Sequence, residues 1–291
     1  MKLWNSYYRA KNIDDALHAL SEAKGPAGIV AGGTDLLLEM QQGRHDPVEL
    51  LVDVTAIPEM RVIEIREGQL FIGGAVPISQ IVRTDLVNQH AQALVEACDL
   101  IGGPQVRNTA TLGGNVAHAL PAADGTIALL AMGAVAEIAG PQGLSQRPLQ
   151  ELFQGPGKSS LLPGAELLVG FYLPLTAAGQ ASAFKRVMRP QGVALPILNM
   201  AAWLARSGDQ IEAVRLAVGP SGPVPRRALA AEASLVGRVP DGAALSDALD
   251  ALLQESRFRT SPLRATEAYR RHLAGMLLKT VVETAWQRSA A

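Results

Sequence analysis

Twice in this chain a pair of glycines makes a corner next to an apolar run. The first corner is VAGGTDLLLEM, residues 30–40, and the second is RNTATLGGNVAHALPAADGT, residues 107–126. Glycine supports tight turns, and two such corners can be no more than strand ends. The alternative is that bare backbone comes close to a pyrophosphate and meets its charge with main-chain N–H groups. A helix beginning after Gly33 adds unsatisfied donors and a partial positive charge there. Thr34 adds a hydroxyl donor, so an anion can be held at this corner without a lysine. In the second corner Thr111 and Asn115 flank Gly113 and Gly114. Asp124 follows, a carboxylate suited to accept hydrogen bonds from ribose or ribityl hydroxyls.

The bulk composition narrows the function classes. A chain of 291 residues with 48% apolar and 18% charged residues has material for two domains and a large core. A net charge of −1 and 4% aromatic residues provide neither a field for nucleic acid nor a base-stacking surface. MKLWNSYYRAKN lacks the apolar core of a signal peptide, and no window approaches a membrane span. A cytoplasmic protein with no integral membrane segment is the expectation. Cys98, the one cysteine, cannot by itself hold an iron–sulfur cluster or a cysteine-rich zinc site. It lies in the apolar helical pattern LVEACDLI, which favours a buried thiol over a reactive one.

Local patterns give an α+β element order. Asn12 is placed to cap a helix through IDDALHALSEAK. GIVAGG reads as a short buried strand, TDLLLEMQQ as a helix capped by Thr34 or Asp35, and LLVDVTAI as a strand. Together they predict a small parallel sheet. RVIEI and QLFIGGA flank the turn signal Arg66-Glu67-Gly68, and AVAEIAGPQGLSQRPL turns at Pro141-Gln142-Gly143; both predict hairpins. PISQIVRTDLVNQHAQALVEACDLIG is helical between them, and ELLVGFYLP is a strand. The loop TAAGQA then marks a boundary. Beyond it SAFKRVM, PILNMAAWLARS and IEAVRLAVG predict antiparallel strands, followed by helices in LSDALDALLQES and TEAYRRHLAGMLLKTVVETAW. In the last helix Tyr269, Leu273, Met276, Leu277 and Val281 are expected to face the core.

Familiar chemical motifs are missing. There is no G-x-G-x-x-G, no H-E-x-x-H and no cysteine pair. FQGPGKSS ends like a phosphate loop, but Leu152 stands where the first glycine belongs, so Lys158 reads as a surface-loop residue. GPSGP does not fit the serine-hydrolase elbow G-x-S-x-G. No metal site is expected.

Four blocks in order, IVAGGTDLL, then IGGPQVRNTATLGGN with PAAD, then LLPGAELLVGFYLP, then AFKRVMR, resemble the FAD-binding (medium) subunit of the molybdenum hydroxylase family. That family includes xanthine and carbon monoxide dehydrogenases and bacterial N-heterocycle or aldehyde oxidoreductases. SPLRATEAYRRHLAGMLL is similar to the family's closing segment, so the resemblance spans nearly the whole chain. It implies a PCMH-type FAD-binding domain over 1–175, with subdomains of about 1–55 and 56–175. A C-terminal domain with a small antiparallel sheet and helices follows over 176–291.

The resemblance also implies a cofactor site. Ile29, Val30, Ala31, Gly32, Gly33, Thr34, Asp35 and Leu36 would wrap the FAD pyrophosphate. Ala110, Thr111, Gly113, Gly114 and Asn115 would contact the cofactor from the second corner, with Ile101, Gly102 and His118 close by. Asp124 would bind a cofactor hydroxyl, and Leu167 or Leu168 would line the flavin or adenine pocket. Lys185 would sit near the isoalloxazine edge, where a cation stabilises reduced flavin; the alternative is a solvated lysine on a strand. No residue acts as catalyst on the organic substrate. A molybdenum-pterin cofactor on a large subunit and [2Fe–2S] clusters on a small one are implied, with a dimer of heterotrimers as the assembly. The chain would pass electrons from the clusters to NAD⁺, a quinone or another acceptor, and among substrates xanthine is preferred. Two rivals stand beside this reading: a stand-alone FAD oxidoreductase of the vanillyl-alcohol-oxidase fold, and a cofactor-free scaffold. One departure is visible. Where family members often carry an acidic residue and then an aromatic or aliphatic one, this chain has Gly192-Val193-Ala194.

Overall fold

The computed structural model describes residues 2–189 and 195–290; Gly192, Val193 and Ala194 lie outside that range. The first unit is β1 (Trp4–Arg9), α1 (Ile13–Ser21), β2 (Ala27–Val30), α2 (Leu36–Gln41) and β3 (Val48–Asp53). Its strands make a parallel sheet in the order β1-β3-β2, as the β-turn-α-β pattern predicts. Asn12 caps α1, its side chain accepting from the Asp15 N–H at 2.8 Å. Sequence patterning does not find β1. WNSYYR has no clean alternation, because β1 is an edge strand exposed along most of its length.

The second unit begins with the hairpin β4 (Ile63–Arg66) and β5 (Gln69–Gly73). Glu67 and Gly68 both have positive φ, 51° and 73°, the two-residue turn that matches strand twist. Short helices follow: α3 (Ile78–Arg83), α4 (Asp85–His90), α5 (Gln92–Asp99), α6 (Pro104–Arg107), α7 (Leu112–Ala117) and α8 (Asp124–Ala131). Then come β6 (Val135–Gly140), β7 (Gly143–Pro148), a small ribbon of β8 (Phe153–Gly155) and β9 (Lys158–Ser159), and β10 (Leu167–Pro174). The five-stranded sheet runs β4-β5-β10-β6-β7, with β10 antiparallel to both neighbours.

The remainder holds β11 (Gln180–Met188), β12 (Pro196–Ser207), β13 (Gln210–Gly219) and β14 (Arg226–Arg227) in one antiparallel sheet. The helices α9 (Leu229–Leu235), α10 (Gly242–Glu255) and α11 (Glu267–Arg288) cover one of its faces.

Strand alternation assembles these pieces into layers. Phe71 on β5 and Tyr172 on β10 point toward α1 and the parallel sheet, with ring centroids 4.9 Å apart. Leu70, Ile72, Phe171 and Leu173 point the other way, onto α3, α5, α7 and α8. That second core continues without a break into Phe184, Ala201 and Ala217 of the C-terminal sheet. Because β10 is covered on both faces, it reads as a continuous apolar run rather than an alternating one.

One expectation for α11 is corrected. Leu273, Leu277 and Val281 are buried, but Tyr269 is 44% exposed and Met276 48% exposed. The buried stripe instead runs through Arg270, Leu273, Ala274, Leu277, Leu278, Val281, Val282 and Ala285. A stripe wide enough to cover a sheet takes consecutive pairs of residues, and the pairs lean one position later than the narrow pattern assumed. Leu277→Ala should therefore cost about 2–5 kcal/mol in chemical denaturation, while Met276→Ala should stay within about 0.5 kcal/mol of the parent. Equal losses from the two substitutions would mean that α11 is turned differently on its sheet.

Candidate functional site

The first corner lies between β2 and α2. Gly33 has φ +66°, a conformation that side chains with a Cβ rarely adopt. At Gly32 a Cβ would stand 2.2 Å from the Thr109 carbonyl oxygen and 2.8 Å from Ala110 Cα. Glycine there lets the first corner rest directly on the backbone that leads into the second. The N–H groups of Ala31, Gly32, Gly33, Thr34, Asp35 and Leu36 have no acceptor among the described residues. Asp35 occupies the N-cap position of α2, but its side chain makes no capping hydrogen bond. The expected cap by Thr34 or Asp35 is thus not made. The donors stay bare, at residues that are half-buried apart from the exposed Asp35.

The second corner is built differently. Its backbone donors are almost all used inside the protein. Gly113 N–H donates to the Gly74 carbonyl at 2.9 Å, Gly114 N–H to Thr111 Oγ1 at 3.1 Å, and Asn115 N–H to the Thr111 carbonyl at 3.0 Å. A Cβ on Gly113 would stand 2.5 Å from the Gly74 oxygen, and one on Gly74 would stand 2.6 Å from the Leu168 oxygen. These glycines allow α7, β5 and β10 to approach one another, which is a packing role. Asn115 Oδ1 accepts from Thr126 N–H at 3.1 Å and faces Thr126 Oγ1 at 3.3 Å, tying α7 to the start of α8.

The two corners meet through His118 as well as through Gly32. Its Nε2 is 3.1 Å from Glu39 Oε1 and its Nδ1 is 3.5 Å from Asp35 Oδ2, both on the α2 side. Ile29 and Val30 end the strand that enters the first corner. Ile101 and Gly102 lie just before α6, their carbonyls accepting from Arg107 Nη1 at 3.3 and 2.9 Å. Leu167 and Leu168 are both buried and belong to cores on opposite faces of β10.

Asp124 opens α8 and is 4% exposed. Arg186 on β11 ion-pairs with one of its oxygens, and Asn199 Nδ2 on β12 donates to the other at 2.6 Å. Burial pushes the Asp124 pKa up, although the Arg186 charge and the Asn199 hydrogen bond pull it down. Cys98 is fully buried, and that burial, then the charges of Asp124 and Asp99, raises its thiol pKa; it is a core residue as predicted. Sequence reading passes over Arg186 and Asn199. Arg186 adjoins the chosen Lys185 in AFKRVMR, and only the register shows which of the two turns inward.

Lys185 is exposed and pairs across the ladder with Met200, whereas Arg186 pairs with Asn199. Successive strand residues face opposite ways, so Lys185 points to the side of the sheet away from Asp124. Gly32, Gly33, Ala110, Thr111, Gly113, Leu168 and His118 are thus brought together. Asp124 is joined to them through Thr126 and Asn115, and Lys185 is not joined.

The first corner thus presents a row of free amides on a layered α+β frame. Residues 3–176 match the family model "FAD binding domain in molybdopterin dehydrogenase", and residues 182–285 match "CO dehydrogenase flavoprotein C-terminal domain". A putative xanthine dehydrogenase FAD-binding subunit of Escherichia coli is 32% identical, covering 96% of this chain and 95% of its own length. The carbon monoxide dehydrogenase medium chain of Hydrogenophaga pseudoflava is 28% identical over 98% of both chains. A solved carbon monoxide dehydrogenase from that organism superposes with a TM-score of 0.93, at 29% identity and 99% coverage of both chains. Quinoline 2-oxidoreductase from Pseudomonas putida superposes at 0.89, with 25% identity and 98% coverage of both chains. The chain belongs to the FAD-binding subunits of the molybdopterin dehydrogenase family, which makes it a flavoprotein oxidoreductase subunit.

Removing Arg186 would leave the Asp124 carboxylate buried without its counter-charge. Arg186→Met should cost about 3–5 kcal/mol at neutral pH in chemical denaturation. A raised carboxyl pKa in the folded state favours the protonated form, so the deficit should shrink as pH falls. A deficit that is independent of pH would remove Asp124 from the account.

Proposed function

We propose that this chain holds FAD at the first corner and relays electrons within a multi-subunit molybdenum hydroxylase. The observation that carries the reading is the unbroken row of six N–H groups, Ala31 to Leu36, without an acceptor among the described residues. Diphosphate oxygens match such a row in charge and hydrogen-bonding sense. When bound, FAD supplies reversible electron storage at its ring. The protein's part is to hold, orient and shield it.

Residues 29–36 wrap the diphosphate, with the Thr34 hydroxyl as a further donor. Ile101, Gly102, Ala110, Thr111, Gly113, Gly114, Asn115 and His118 form the facing wall, whose own donors are mostly closed, so it contributes shape more than charge. Asp124 keeps lone pairs free for a cofactor hydroxyl while Arg186 and Asn199 hold it in place. Leu167 or Leu168 lines the apolar part of the pocket. Lys185 stabilises negative charge near the ring. Because β11 is the edge strand of its sheet, a ring lying across that edge meets Lys185 on one side and the Asp124 side on the other.

The division into a FAD-binding domain (1–175, subdomains about 1–55 and 56–175) and a C-terminal domain (176–291) belongs to this reading. So do a cytoplasmic location and a dimer of heterotrimers with molybdenum-pterin and [2Fe–2S] subunits. Electrons pass from those clusters through this flavin to NAD⁺, a quinone or another acceptor. Xanthine is the preferred substrate class of the assembly, supported by the name of the Escherichia coli relative.

The purified chain should carry FAD, recognised by its visible absorbance and released on denaturation. Gly33→Val places a β-branched residue at φ +66° and against Leu37 Cδ1 at 3.0 Å, a strain of about 1–3 kcal/mol. It should lose the cofactor while remaining folded by far-ultraviolet circular dichroism. Full FAD occupancy in the folded variant would take the diphosphate away from this corner.

A further inference from the structure

A histidine set between two acids joins the second glycine corner to the first. His118 ends α7; its Nε2 lies 3.1 Å from Glu39 Oε1 and its Nδ1 lies 3.5 Å from Asp35 Oδ2. A carboxylate only accepts, so the proton at the shorter contact sits on Nε2. Asp35 and Glu39 stand four residues apart at the start of α2, on one face. Among the described residues neither carboxylate has another basic partner. The backbone on either side of His118 fixes where the ring stands. His118 N–H donates to the Gly114 carbonyl at 3.1 Å, and Ala119, fully buried, turns the chain at φ +53°. That conformation at a helix end ordinarily falls to glycine. The Ala119 carbonyl accepts from Gly157 N–H at 3.1 Å, which anchors the turn.

The two acids are awkward neighbours for an anion. Asp35 is itself one of the six residues whose N–H groups find no acceptor among the described residues. Its carboxylate is tethered to that row, and Glu39 adds a second negative charge one turn further on. Carboxylates left free there would act against a diphosphate in two ways. They would repel it directly. An acidic side chain in the first turn of a helix is also drawn to the open N–H groups, so it competes for them. Yet the Asp35 carboxylate makes no capping hydrogen bond; it faces His118 instead.

We propose that His118 is a positioning residue that keeps Asp35 and Glu39 off the amide row, so that the row stays open to a diphosphate. The inference rests on the FAD reading and deepens it. It gives the second corner, whose own donors are mostly closed, a task at the first one. A residue that only lines a pocket acts by touching the cofactor. His118 acts through the two acids, and its effect vanishes when they carry no charge.

The test is a mutant cycle on the full chain, read as the FAD dissociation constant by quenching of flavin fluorescence, with pyrophosphate as a competitor. His118→Ala should weaken FAD binding by at least about tenfold in the parent chain. In the Asp35→Asn/Glu39→Gln chain the same substitution should weaken it by less than about threefold, because no charge remains to divert. Pyrophosphate should follow the same pattern, although it has no ring or adenine for His118 to touch. The Asp35→Asn/Glu39→Gln chain, which keeps side-chain shape, should bind FAD at least as tightly as the parent. That measurement stands even where His118→Ala does not fold. Three results would overturn the proposal: equal losses in both backgrounds, no loss in either, or weaker FAD binding once the acids are neutralised. Gly33→Val separates this from the FAD reading. If that folded chain keeps full FAD, the reading itself fails; if it loses FAD while His118→Ala binds like the parent, only the role of His118 fails.

Discussion

Six consecutive backbone N–H groups, Ala31 to Leu36, find no acceptor among the described residues, at residues that are half-buried apart from the exposed Asp35. Buried main-chain donors are almost always satisfied, because leaving one bare costs about as much as a lost hydrogen bond. The row from Ala31 to Leu36 persists because Gly32 rests on the backbone at Thr109–Ala110 and Gly33 turns through positive φ. The segment is thereby fixed in a shape that cannot fold back to satisfy itself. In the proposed reading, an anion there would meet donors that are already ordered before it arrives. What this corner asks of the rest of the chain is rigidity, and the layered packing supplies it.

The layers also explain why the two long sequence segments are coupled. Phe184, Ala201 and Ala217 belong to the same core as Leu70, Ile127 and Phe171, so the C-terminal sheet is a wall of the second unit and not an appendage. Across that wall runs the contact of Asp124 with Arg186 and Asn199, buried to within a few per cent. A buried ion pair of this kind is weak evidence for stability by itself. Its consequence here is positional, since it locks the start of α8, and through Thr126 and Asn115 the second corner, to the β11–β12 hairpin.

Much of this was legible in the residues. The positive-φ hairpin turn at Glu67-Gly68, the Asn12 cap and the three C-terminal strands all follow from local chemistry that tertiary packing does not override. The glycine corners were visible too, but not their difference. Sequence cannot tell a glycine that frees a donor, as around Gly33, from one that lets two backbones touch, as at Gly113 against Gly74. Nor could it choose between Lys185 and Arg186, because a one-residue step in a strand changes the face and only pairing fixes it. Strand β1 was missed because an edge strand needs no apolar alternation. Tyr269 and Met276 were misplaced because the stripe on α11 is wider than the pattern sought.

Hydrogen exchange read by mass spectrometry, on the chain freed of FAD and then reloaded, tests the central claim most directly. The account predicts that peptides covering residues 31–36 exchange fast without the cofactor and become strongly protected with it, while residues 113–115 are protected in both states. If the first corner exchanged at the same rate in both states, its amides would not be the ones that meet the diphosphate, and the account would be wrong.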